Sequence, residues 1–132
     1  MIRRIAYASR PQSGLSFTEI PRIVAAARTR NTVAGITGVL LFTGRDFAQV
    51  IEGPRQTVAD LWASIRADPR HHDMAVFLDE RTPVPWFGDW RVGFPLDPLV
   101  TAQIESWRQR AGTWDDAQRN ELLRQLAAID AI

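Results

Sequence analysis

Two apolar runs separated by four turn-forming residues govern what this chain can become. Residues Gly35 to Phe42 are continuously apolar apart from Thr37, Thr43-Gly44-Arg45-Asp46 is short and turn-forming, and Phe47-Ala48-Gln49-Val50-Ile51-Glu52-Gly53 follows. Such a spacing predicts a hairpin of two neighbouring strands. Gln49 breaks the second run at mid-strand, where the pattern calls for an apolar side chain in the core. A carboxamide both donates and accepts, and burying it without partners costs about 1–3 kcal/mol. Its expected partner is Tyr7 on the first strand or a ligand with a polar edge of its own.

The elements around the hairpin follow from periodicity. Ile2 to Arg10 alternates as a strand, with Ile5, Tyr7 and Ser9 on one face and Ala6 and Ala8 on the other. Ser16 and Glu19 form a capping-box pattern, with Leu15 and Ile20 as its hydrophobic staple, so a helix is predicted from Ser16. Ile20, Ile23, Val24 and Ala27 keep helical spacing up to a stop near Asn31, read as a helix-end residue. Pro54 opens a second helix with Val58, Leu61, Trp62 and Ile65 on its apolar face, and Asp68-Pro69 closes it. Met74 to Leu78 reads as a fourth strand and Trp86 to Phe94 as a fifth.

The fold class expected is α/β in the α+β sense: a ferredoxin-like βαββαβ sandwich with an added fifth strand, followed by two C-terminal helices. In that topology the first and third strands are neighbours, which sets Tyr7 beside Gln49 on the helix-covered face. Residues 1–95 make the first unit and 96–132 an extension. In the extension Asp97-Pro98 starts one helix carrying Val100, Ile104 and Trp107, and Thr113 to Ile132 gives another with Leu122, Leu123, Leu126 and Ile129. Their apolar stripes call for burial on the sheet's free face or on another subunit.

At 132 residues the chain has room for one core. Sixteen basic and fifteen acidic residues leave a net charge of +1, which gives no field to predict nucleic-acid or acidic-membrane binding. Neither a transmembrane stretch nor a signal-peptide pattern is present, so a cytoplasmic location is expected. The absence of cysteine excludes disulfides, thiolate metal sites and cysteine nucleophiles.

Read residue by residue, the polar candidates have bland alternatives. Tyr7 and Gln49 can satisfy each other, and Asn31 can be a cap. The run Asp68-Pro69-Arg70-His71-His72-Asp73 can be a solvated turn, or Arg70 can offer bidentate donors to carbonyls or phosphates. Trp86, Phe87 and Trp90 can be packing residues, with Trp86, Trp90 and Val92 on one strand face.

Together, Tyr7-Ala8-Ser9, Asn31, Gly35-Ile36-Thr37-Gly38, Phe47 to Gly53, Asp68-Pro69-Arg70-His71 and Trp90-Arg91-Val92-Gly93-Phe94 resemble the BLUF family of flavin-binding blue-light sensors, over residues 1 to 95. The resemblance implies FAD, with FMN or riboflavin as variants, held between the two helices and walled by Ile23 and Ile65. It implies that Gln49 bridges the flavin edge and the Tyr7 hydroxyl, that Asn31 meets the ring's C4 carbonyl edge, and that Asp68, Arg70 and His71 face the pyrimidine end and ribityl region. In such sensors the tyrosine gives up an electron and then a proton on excitation, and the glutamine relays the proton and returns rotated or tautomerised. Tyr7, Gln49, Trp90 and Val92 are thus the expected photoactive set, in a non-enzymatic receptor that signals in trans to a protein partner and self-associates through its C-terminal helices or sheet. Val92 stands where many members carry methionine, replacing a flexible thioether by a stiff branched side chain. Two rivals remain at this stage. One is an acylphosphatase-like hydrolase using Arg10 and Asn31, and the other a flavin-binding interaction module without light output.

Overall fold

In a computed structural model, which describes residues 1–13 and 18–131, five strands form one sheet in the order β4-β1-β3-β2-β5. The elements are β1 (Ile2–Pro11), α1 (Glu19–Ala34), β2 (Thr37–Phe42), β3 (Phe47–Pro54), α2 (Arg55–Ala67), β4 (His71–Thr82), β5 (Trp90–Gly93), α3 (Pro98–Gln109) and α4 (Asp116–Ala128). β1 lies between β3 and β4, antiparallel to both, and β5 adds parallel to β2 at the edge. This is the ferredoxin-like order with a fifth strand.

Strand alternation divides the interior into two layers. Ile5, Tyr7, Leu40, Ile51, Trp62, Trp90 and Val92 pack beneath α1 and α2. Ala6, Ala8, Leu41, Val50, Phe77, Ile104, Trp107, Leu122, Leu123 and Leu126 fill the opposite layer. The apolar stripes of α3 and α4 are therefore covered by the chain's own sheet. Gly38, at φ 142°, lets β2 and β3 close up, since a Cβ there would stand 1.9 Å from the Val50 carbonyl oxygen.

Several boundaries differ from the sequence reading. The proposed start of α1 at Ser16, with its staple at Leu15, lies outside the described residues. Asn31 does not end α1; the helix continues to Ala34 and stops at Gly35, whose φ of 74° a glycine adopts freely. β4 is much longer than Met74 to Leu78, because His71 and His72 pair with Pro11 and Arg10 of the extended β1. The Asp68 to Asp73 run is thus half turn and half strand. β5 is shorter than expected, so Trp86 and Phe87 sit in the preceding loop, whereas Trp90 and Val92 do share a face. α4 begins at Asp116, where Asp115 and Gln118 form a reciprocal capping box, and not at Thr113.

The loop before β5 is held by a carboxylate. Glu52, fully buried, accepts from the backbone N–H groups of Trp86 at 2.9 Å and Phe87 at 2.6 Å, from the Thr37 hydroxyl at 2.9 Å and from Arg4 Nε at 2.8 Å. Arg4 continues to Glu80 at 2.7 Å, and Glu80 also receives Arg119 of α4 at 2.9 Å. At the other end of the sheet, buried Asp46 lies 3.3 Å from Arg108 of α3 and 3.6 Å from Arg10. These two ion clusters fasten the C-terminal helices at the rim of their apolar layer.

Candidate functional site

A cavity of about 690 Å³ opens between α1 and α2 above the centre of the sheet. That size lies within the ~300–1,000 Å³ usual for small-molecule sites. Tyr7 and Gln49 form its floor. They are direct partners across β1 and β3, and the Tyr7 hydroxyl donates to Gln49 Oε1 at 2.5 Å. Register shifts in the β1–β4 ladder fall on either side of Tyr7, between Ala6 and Tyr7 and between Ala8 and Arg10. Bulges of this kind re-aim side chains and are common beside functional sites.

Both floor residues are poor in water and rich in protein contacts. Tyr7 is buried, 5.1 Å from the Trp62 ring and 6.4 Å from the His71 ring, centroid to centroid. Burial pushes its phenol well above the ordinary value; the Arg30 charge pulls it partly back and Asp68 adds a small further rise. Gln49 meets Tyr7 through its oxygen, so both amide protons remain to serve a group in the cavity that it lines.

The wall from α2 and β4 is polar and ordered. His71 Nε2 lies 2.6 Å from the Ile65 carbonyl, which can only accept, so Nε2 carries a proton; Nδ1 pairs with the Ser9 hydroxyl at 2.7 Å, as acceptor in the neutral ring. Arg70 grips Asp68 through Nε at 2.9 Å and a terminal nitrogen at 2.6 Å, which holds the Asp68 carboxyl below the usual carboxylate range. From α1 the cavity is bordered by Ile23, Ala26, Ala27 and Arg30, and Ile65 faces it from α2.

Seven of the residues singled out from sequence meet at this cavity: Tyr7, Ile23, Gln49, Ile65, Asp68, Arg70 and His71. Asn31 is fully buried but stands outside the lining, and its Nδ2 has no hydrogen-bond partner. Trp90 and Val92 belong to the same layer without bordering the cavity. Val92 is opposite Leu40, and Leu40 opposite Gln49, so two strand spacings, about 10 Å, separate Val92 from the amide. Arg10 is tied into the Asp46 cluster with Glu105 and Asp73, which deprives a hydrolase reading of its anion donor. Sequence reasoning missed Arg22 and Arg30, although steps of three and four residues from Ile23 along α1 lead to Ala26, Ala27 and Arg30.

The donor set fits a planar heterocycle edged with carbonyls and ring nitrogens. Apolar walls come from both helices, an amide and a phenol lie at the floor, and α1 carries a buried, unpartnered amide donor at Asn31. Comparison with known proteins decides the family. The family profile described as sensors of blue light using FAD, BLUF, matches residues 2–93. The chain belongs to the BLUF family. As a BLUF protein it is 33% identical over 88 residues to the blue light- and temperature-regulated antirepressor of Escherichia coli (strain K12), a match covering 67% of this chain and 22% of that one. It is 43% identical over 97 residues to the photoactivated adenylate cyclase alpha subunit of Euglena gracilis, covering 70% of this chain and 8% of that subunit. The chain thus spans less than a quarter of the length of these curated relatives. The BLUF protein BlrB, in its dark-state structure, superposes with a TM-score of 0.73 at 33% identity, covering 96% of both chains. The photo-activated state of BlsA shares the fold at 20% identity with a TM-score of 0.79.

Proposed function

We propose that this BLUF protein holds FAD non-covalently between α1 and α2 and uses Tyr7 and Gln49 as a light-driven hydrogen-bond switch. The observation that carries the reading is the Tyr7–Gln49 hydrogen bond on the floor of the cavity between the helices. A bound flavin supplies blue-light absorption and, once excited, a demand for one electron and one proton. Tyr7, a buried, protonated phenol on the cavity floor, supplies both. Losing the electron makes the phenol strongly acidic, and its proton passes along the existing bond to Gln49 Oε1 while Gln49 Nε2 gives up one of its own protons toward the cavity. When electron and proton return to Tyr7, the Gln49 amide has turned, with Nε2 toward the tyrosine oxygen and Oε1 toward the cavity. Over the whole cycle no bond of the chain is changed net, because the Tyr7 O–H bond broken on transfer is re-formed on return; only the amide's partners change.

Asn31 through Nδ2, His71 and the Asp68–Arg70 pair are the further ligand contacts in this reading, and Ile23 and Ile65 are its apolar walls. Residues 1–95 act as the sensor and 96–132 as an extension bearing on output, which passes in trans to a protein partner. Absorption spectra before and after blue illumination test the proposal. Gln49→Leu and Tyr7→Phe should each retain flavin and lose the light-induced red shift. Full retention of the shift in either variant contradicts the assigned roles, and a protein that stays colourless after flavin supplementation removes the whole reading.

A further inference from the structure

Arg30 borders the cavity one residue before Asn31, and its Nε donates to Asn31 Oδ1 at 3.4 Å. With Arg30 held on the oxygen side of the Asn31 amide, the NH₂ group is the end left to offer a ligand a donor. That nitrogen is buried and without a partner. Arg30 also carries the more available charge. Arg70 is neutralised by its bidentate grip on Asp68, whereas Arg30 forms no ion pair among the described residues. Its charge reaches the floor of the cavity, where it opposes the effect of burial on the Tyr7 phenol.

We propose that Arg30 is a positioning and specificity-determining residue of the flavin site. It holds the Asn31 amide with Nδ2 toward the ring carbonyls of the ligand, and its charge favours ligand states that carry negative charge in the cavity. The proposal rests on the flavin reading above. Two separable consequences follow. The hydrogen bond sets the direction of an amide, and so the pattern of donation to a carbonyl. The charge sets a preference for the reduced, electron-rich ligand over the oxidised one. Arg30 is solvent-exposed, so that preference should be modest, roughly two- to fivefold in relative affinity.

The test uses the full chain reconstituted with riboflavin, which has no phosphate for Arg30 to contact. Dark-state infrared spectra report the ring carbonyl bands, and redox titration reports the ratio of affinities for reduced and oxidised riboflavin. Arg30→Gln keeps a donor and removes the charge, so the ratio should fall two- to fivefold with the bands nearly unmoved. Arg30→Met removes both, so the ratio should fall equally and the carbonyl bands should shift in the direction seen in Asn31→Ala. If Arg30→Met leaves bands and ratio as in wild type while Asn31→Ala shifts the bands, Asn31 is held without Arg30 and the proposal is wrong. Bands unmoved in Asn31→Ala overturn the positioning role. A wild-type chain that binds neither FAD nor riboflavin overturns the flavin reading itself, and this proposal with it.

Discussion

The two faces of the sheet are built from alternate residues of the same strands and behave as opposites. On one, Tyr7 and Gln49 stand below a cavity, and Asn31 of the covering helix α1 keeps a buried donor without a partner. On the other, Ala6, Ala8, Ala48 and Val50 meet α3 and α4 in a layer whose members Val50, Leu41, Ile104 and Leu123 are fully buried. Polar groups with a choice of partners need a frame that does not move with them. The far layer supplies it, one backbone thickness away from the amide. A change in Gln49 therefore reaches the C-terminal helices only by shifting strands, and the ion clusters at Glu52 and Asp46 are where such a shift would strain a contact.

The hardest blow to the frame should be Glu52→Ala. It leaves the buried Arg4 Nε without its acceptor and Glu80 as the only carboxylate on that guanidinium among the described residues, and unties the loop carrying Trp86 and Phe87. Removing one partner of a buried pair costs about 3–5 kcal/mol. Urea unfolding followed by tryptophan fluorescence measures it, and a loss under about 1 kcal/mol would mean that the rim is not locked. Leu123→Ala, in the middle of the far layer, should cost about 2–5 kcal/mol by the same assay. The flavin absorption maximum should stay in place. A displaced maximum would show that the two faces are not independent.

The contrast between the faces was readable from periodicity, since Ile5, Tyr7 and Ser9 alternate with Ala6 and Ala8. What periodicity could not reveal were the ends. β4 gained His71 and His72 because β1 runs on to Pro11 to pair with them, a long-range match that local pattern does not carry. β5 lost Trp86 and Phe87 because Glu52, 34 and 35 residues earlier in the chain but adjacent in space, takes their backbone donors. Asn31 looked like a helix end since asparagine is a common cap, yet Gly35 holds the left-handed position that actually stops α1. Arg30 escaped notice for a similar reason: an arginine on an amphipathic helix reads as solvated until the opposing helix shows that its stripe borders a cavity.

Tyr7 is the sole tyrosine of the chain, so an ultraviolet phenolate titration reports the cavity floor alone. Its raised pKa means that the folded state holds the phenolic proton more tightly than the unfolded chain, whose phenol ionises near ~10. The resulting stabilisation is complete below that pH and is lost as pH rises toward the folded value. Stability should accordingly decline above pH ~10, with phenolate appearing only as the protein unfolds. Phenolate forming at the ordinary pH in a protein with native circular dichroism would show that water reaches the floor and would erase the asymmetry between Tyr7 and an exposed phenol.

The smallest expected effect belongs to the cavity's rim. Arg70 and Asp68 form a bidentate pair, but their side chains are 54% and 25% exposed, so Arg70→Gln should cost the ligand-free protein no more than about 1 kcal/mol at neutral pH. Because Arg70 lowers the Asp68 pKa, this contribution is present above the ordinary carboxylate value near ~4 and disappears as pH falls through the lowered one. Acid unfolding of wild type and Arg70→Gln should therefore converge at low pH. Flavin affinity separates two uses of the guanidinium. If Arg70 turns from Asp68 toward the ligand, the variant loses affinity well beyond its loss of stability. Equal losses would mean that the pair shapes the rim without touching what the cavity holds, leaving ligand contact to the buried floor.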